Sequence, residues 1–229
     1  MNKILSYFTK FELCLWSISV FSILISFCIF DRENYLTLIA SIIGATFLIL
    51  NAKGNPIGQF LTIVFCILYG MISYGFSYYG EMITYLGMSM PMALLALISW
   101  VKNPYGDNKS QVKVNRLSKG EIAFMFVLAA IITLIFYFIL KYLNTANLIP
   151  STISVTTSFI AVYLTFRRSP YFALAYASND LVLIILWVLA TKTQVSYLSV
   201  VICFIVFFVN DLYGFVNWKR MEKKQSNNI

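Results

Sequence analysis

Two adjacent amide–acid pairs, Asn179-Asp180 and Asn210-Asp211, lie inside long apolar stretches of the chain. A carboxylate at the centre of a bilayer costs about 2.5 to 3.5 kcal/mol on insertion scales, so it is expected to face protein or a water-filled cavity and to have a partner. Asp180, Asn210 and Asp211 become candidate ligand-binding residues on that cost. Positions four apart, Tyr171, Ala175, Asn179, Leu183 and Trp187, form one stripe of a helix, with small Ala175 leaving room between larger groups. Gln59, Tyr69, Tyr74, Tyr78 and Tyr85 add amide and aromatic groups from the first half, next to the punctuation of Gly87 and Pro91. A planar cation over Trp or Tyr gains about 0.5 to 2 kcal/mol by cation–π attraction, while amides read hydroxyl groups. These residues suit a flat, positively charged, polyhydroxylated ligand. The plainer role for each polar group is an interhelical hydrogen bond, worth about 0.6 kcal/mol on average.

Other chemistries are disfavoured by what the sequence lacks. It has no histidine, the commonest general base and metal ligand. Its four cysteines, Cys14, Cys28, Cys66 and Cys203, sit singly in apolar runs, as packing residues do, without zinc-site or disulfide spacing. There is no phosphate-binding loop of the G-x-x-x-x-G-K-[ST] type. A membrane-embedded enzyme is the alternative from another class, no cofactor or metal is called for, and energy for any transport must come from a gradient.

The elements that carry these residues must be membrane helices. Of the 229 residues 60% are hydrophobic and 11% charged, against roughly 25% charged in soluble domains. Apolar runs predict an all-α integral membrane protein of about eight spans, near 12–30, 35–52, 56–78, 81–101, 120–143, 151–167, 170–191 and 195–218. Pro56 and Pro170 stand where helices are expected to start, and Ser118 with Glu121 matches a capping box. Tyr78, Tyr79 and Trp218 are expected at the lipid interface. With eight spans, every Lys and Arg except Arg32, Lys141 and Lys192 falls on the face that holds both termini. The positive-inside rule makes that face cytoplasmic, and its basic loop and tail suit anionic lipid rather than nucleic acid. Lys3 and Lys10 precede the first run, which is read as a retained helix and not a cleaved signal.

The halves resemble each other at a spacing of roughly 115 residues: Asn55-Pro56 lines up with Ser169-Pro170, and Leu97-Ile-Ser-Trp100 with Phe215-Val-Asn-Trp218. One domain, residues 1–229, is then an extra N-terminal helix (12–30), a three-helix repeat (35–101), a linker helix (120–143) and a second three-helix repeat (151–218). Three helices per unit plus one linker give parallel repeats, as in the sugar-transporting SWEET proteins.

Asn51-Ala-Lys-Gly54, Gly58-Gln59, Leu68-Tyr69-Gly70, Tyr79-Gly-Glu-Met-Ile-Thr-Tyr85, Trp100-Val-Lys-Asn-Pro104, Asn179-Asp-Leu-Val-Leu-Ile-Ile-Leu-Trp187 and Asn210-Asp-Leu-Tyr-Gly214 together resemble the Pnu family of vitamin transporters. The likeness covers nearly the whole chain. It implies a SWEET-like 3+1+3 arrangement behind an extra helix, a mid-membrane site between the bundles, and uptake of nicotinamide riboside by facilitated diffusion, with intracellular phosphorylation trapping the product for NAD synthesis. It implies a bacterial inner-membrane location, and leaves a homo-oligomer open. Carried over by position, the site candidates are Asn179 and Trp187, with Gln59, Tyr69 and Met88. Some relatives carry glutamine after the fourth helix's proline, where this chain has Met92 and Ala93. Sister proteins carry thiamine or riboflavin, the alternative substrates on the same fold.

Overall fold

The computed structural model describes residues 7–75, 78–106, 108–145, 147–192 and 194–227. Within them are eight helices long and apolar enough to cross a membrane. They are α1 Lys10–Phe30, α2 Tyr35–Ala52, α3 Pro56–Gly75, α4 Tyr79–Lys102, α5 Lys119–Tyr142, α6 Leu148–Phe166, α7 Phe172–Ala190 and α8 Leu198–Asn227. A two-stranded hairpin, β1 Pro104–Tyr105 and β2 Asn108–Val112, joins α4 to α5, an element absent from the all-helical expectation.

Local signals set most helix ends. Pro56 opens α3, where a missing N–H leaves no intrahelical bond unmade. The Ser118 hydroxyl accepts from the Glu121 N–H at 3.3 Å, and Glu121 accepts in return from the Ser118 N–H at 2.9 Å. Thr9 and Glu12 form the same reciprocal cap on α1. Pro170 does not open α7: the Phe172 N–H bonds the Ser169 carbonyl at 3.2 Å, so Ser169 to Tyr171 form the preceding turn. Part of the expected 56–78 helix, residues 76 and 77, lies outside the described residues, as does Lys3.

The fourth span is not a uniform α-helix. Residues Thr84–Ser89 form a π-helical section, and the Met90 N–H reaches back five residues to the Tyr85 carbonyl. Pro91 follows and supplies no N–H, so the wider turn lets the chain absorb the missing donor.

The helices close into a ring of six. α2 packs on α3, α3 on α4, α4 on α6, α6 on α7, α7 on α8, and α8 back on α2. α1 lies outside this ring against α8 and α2, and α5 lies outside against α6. Gly44 on α2 admits the Phe207 ring of α8, which a Cβ at that position would overlap; small residues permit such approach where no hydrophobic effect drives helices together.

One face of the bundle collects Tyr7, the α2–α3 turn, the hairpin, the α6–α7 turn and the end of α8. Gly54, at φ +68°, turns the chain after α2, and its carbonyl accepts from the Val112 N–H at 3.0 Å. Glu121 pairs with Arg167, and Glu222 with both Arg116 and Lys219. α8 runs past Trp218 because residues 219–225 are mostly good helix formers. Gln225 clasps the hairpin, accepting from the Val114 N–H at 2.8 Å and donating to the Val112 carbonyl at 3.1 Å. Trp218 itself is not at the lipid interface. It is fully buried, and its Nε1–H donates to the Asn51 carbonyl at 2.7 Å. Tyr78 is also turned partly inward, against Trp187 and Tyr197.

Candidate functional site

The ring encloses a narrow chamber walled by all six of its helices. α2 contributes Asn51, α3 Thr62 and Phe65, α4 Tyr85 and Ser89, α6 Ser158, α7 Tyr176, Asn179 and Asp180, and α8 Phe204, Phe207 and Asp211. The π-helical section is what presents Tyr85 and Ser89. Free space amounts to about 50 Å³, room for a few waters at about 10 to 15 Å³ each. A ring-bearing solute requires the walls to part.

Asp180 and Asp211 face each other from neighbouring helices. Both are buried, at 4% and 5% exposure, and both line the chamber. The Oδ2 atom of Asp180 has no partner among the described residues. Among the described residues, no Lys or Arg lines the chamber. Asn179 is braced on α6, its Oδ1 accepting from Thr157 Oγ1 at 2.8 Å and Ser154 Oγ at 3.3 Å.

Toward the opposite face the walls are aromatic. Phe65 and Phe204 line both the chamber and a smaller pocket of about 10 Å³ beyond it, which also holds Tyr69 and Trp187. Trp187 Nε1–H donates to the Tyr69 hydroxyl at 3.0 Å, Tyr69 lies 4.4 Å from the Tyr85 ring, and Trp187 lies 5.0 Å from Tyr78 and 5.4 Å from Tyr197. Glu81 is buried within electrostatic reach of Tyr69, Tyr78 and Tyr85, and its Oε2 has no partner among the described residues.

Toward the basic face the chamber ends in a tryptophan pair. The rings of Trp100 and Trp218 lie 5.3 Å apart, and Phe172, which lines the chamber, sits 4.8 Å from Trp218. Trp100 on α4 donates to the Thr165 carbonyl of α6 at 2.9 Å, as Trp218 on α8 donates to Asn51 of α2. The preceding residues repeat the pattern: Ser99 donates to the Phe166 carbonyl at 3.0 Å, and Asn217 to that of Ala52 at 2.8 Å.

The sequence-derived candidates divide on this geometry. Asn179, Asp180 and Asp211 line the chamber, and Tyr69 and Trp187 line the pocket above it. Gln59 lies one step away, donating at 2.9 Å to Asn51 Oδ1 and so orienting a lining amide. Met88 points instead into the packing of α4 against α5 and α6, with Leu140, Val155 and Phe159. Asn210 faces α1, donating to Ser19 Oγ at 2.9 Å. Glu81 was legible only as an acid just inside a predicted helix start, where such residues ordinarily cap.

A helical ring around a chamber that alternates between aromatic and acidic walls, closed at both ends, defines a polytopic membrane transporter. The chain belongs to the nicotinamide mononucleotide transporter family, whose model matches residues 34–220. It is similar to the nicotinamide riboside transporter PnuC of Neisseria mucosa, 24% identical over 223 residues that span 95% of this chain and 84% of that one. The PnuC of Haemophilus influenzae is 23% identical over 193 residues, covering 84% and 82%. The crystal structure of the vitamin B3 transporter PnuC superposes with a TM-score of 0.83 at 21% identity, covering 95% of this chain and 94% of that chain.

Proposed function

We propose that the protein carries nicotinamide riboside into the cell by facilitated diffusion, with both termini in the cytoplasm of a bacterium and the chain in its inner membrane. The observation that carries this reading is the unbalanced acidity of the chamber: Asp180 and Asp211 are buried beside aromatic walls with no Lys or Arg among the lining residues. A pyridinium ring supplies the missing positive charge, stacks on Tyr and Trp, and brings ribose hydroxyls for Asn179, Ser89 and Ser158. The same imbalance separates the nucleoside from its phosphate ester. A nucleotide would place an anion against two acids without a counter-charge, which is costly at low dielectric.

Transport follows from the ring. Helices α2 to α4 and α6 to α8 form the two parallel repeats of this reading, and the matched contacts of Trp100 and Trp218 across their boundary support it. Rocking of one unit against the other opens the chamber on alternate sides. Release toward the cytoplasm requires the tryptophan pair to separate, and entry from outside requires the cluster of Tyr69, Tyr78, Tyr85 and Trp187 to open.

Calorimetric titration of the purified protein with nicotinamide riboside, nicotinamide mononucleotide, thiamine and riboflavin tests the reading. Saturable binding of the riboside, absent for the mononucleotide and abolished by Trp187→Ala, is expected. Preference for thiamine or riboflavin would reassign the substrate on the same fold.

A further inference from the structure

A cavity far roomier than the chamber lies outside the ring. It is a groove of about 970 Å³ on the outer wall, where α1 and α8 meet at the basic face. Its membrane side is apolar: Leu15 comes from α1, and exposed Leu212 and Val216 come from α8. The stripe on α8 then changes character without leaving its line. Positions 212, 216, 220 and 224 lie on one helical face, and the last two, both lining the groove, are exposed Arg220 and Lys224. The one acid in the lining, Glu12, is already committed to Lys53 at 3.0 Å and to the Tyr213 hydroxyl at 2.9 Å. Glu121 and Glu222, which serve other basic residues of this face, lie outside it.

An apolar trough that ends in two cations where a helix leaves the hydrocarbon matches an anionic phospholipid, with an acyl chain along Leu212 and Val216 and a phosphate between Arg220 and Lys224. We propose that this groove is a specific site for an acidic phospholipid, which seals α1 onto α8. Among the described residues, the hydrogen bonds across this seam are Asn210 to Ser19 within the membrane and Tyr213 to Glu12 at its edge, where the Phe11 ring also lies 5.2 Å from that of Tyr213. A lipid bound there would hold α1 in place on the helix that also carries Asp211.

The test uses the full-length protein, delipidated in a neutral detergent, with phosphatidylglycerol, phosphatidylcholine or glycerol phosphate added back. Thermal stability and the lipids retained in native mass spectra are read together. Phosphatidylglycerol should raise the Tm and be retained, while phosphatidylcholine and glycerol phosphate should do neither. The Arg220→Gln/Lys224→Gln double variant should bind phosphatidylglycerol roughly thirty-fold more weakly. Lys102→Gln/Lys119→Gln, which removes the same charge from the same face away from the groove, should bind as the wild type does. Equal loss in both double variants would reduce the effect to diffuse surface charge, equal stabilisation by phosphatidylcholine would remove the headgroup specificity, and stabilisation by glycerol phosphate alone would make the site one for soluble anions. Each of these overturns the proposal.

Discussion

Asp180 and Asp211 place two buried acids in the wall of a chamber that, among the described residues, is lined by no Lys or Arg, and Glu81 is a third buried acid at the start of α4. If a bound cation completes this arrangement, Asp180→Asn should weaken nicotinamide riboside about ten- to a hundred-fold, the range of a hydrogen bond to a charged group. The reduced, uncharged dihydronicotinamide riboside should lose much less, and equal losses for the two ligands in calorimetry would count against a role for charge. The aromatic end is tested through a single bond. Trp187→Phe and Tyr69→Phe each remove the same 3.0 Å contact, so a double-mutant cycle on thermal or denaturant stability should return a coupling of about 1 kcal/mol. Asp180 and Asp211 were legible from sequence because burying an acid in a membrane demands a reason. Met88 and Asn210 were not separable from them, since a helix surrounded by other helices is apolar on every side and its polar groups do not reveal which neighbour they face.

Trp100, near the end of α4, and Trp218, within α8, make the same bond to different partners. Trp100→Phe and Trp218→Phe keep the ring but lose the indole donor, about 1 kcal/mol each. Both should shift the carrier toward its inward-open form by about five-fold. Cys66, which is buried and lines the chamber, reports the change: in a background with Ser at positions 14, 28 and 203, its labelling rate by a water-soluble thiol reagent should rise in both variants. A rise in one alone would contradict the symmetry of the gate. Gly44→Val should instead push Phe207 off the α2 backbone and destabilise the fold by about 1 to 3 kcal/mol, the usual cost of overpacking, measurable by denaturation in mild detergent. The likeness between Ser99-Trp100 and Asn217-Trp218 was visible in the sequence. That it means burial and not anchoring at the lipid surface was not, because hydropathy measures how far a segment spans and not which way a side chain points.

At the scale of the whole molecule, eight spans and the gathering of basic residues on one face followed from apolar lengths and charge positions. The ring order did not, since α8 closes against α2 from the far end of the chain and no local pattern encodes such a contact. Nor did the hairpin and the polar extension of α8, which hold each other through Gln225. Gln225→Ala removes both bonds and leaves the buried Val112 carbonyl and the half-buried Val114 N–H without them, so a loss of about 1 to 3 kcal/mol is expected. A chain ended after Met221 should show the same loss, with faster proteolytic cleavage in the 103–118 loop as the readout.

Closure of the ring by α8 also bears on how the protein is made. α8 leaves the ribosome after the other seven helices, yet α1 and α2 both pack against it. Until then α7 sits in the bilayer with Asp180 lacking Asp211, and α2 offers Gly44 to lipid instead of to Phe207. The nascent bundle is therefore an open arc that displays an acid to the hydrocarbon, the kind of intermediate that an insertase or membrane chaperone would have to shelter during biogenesis.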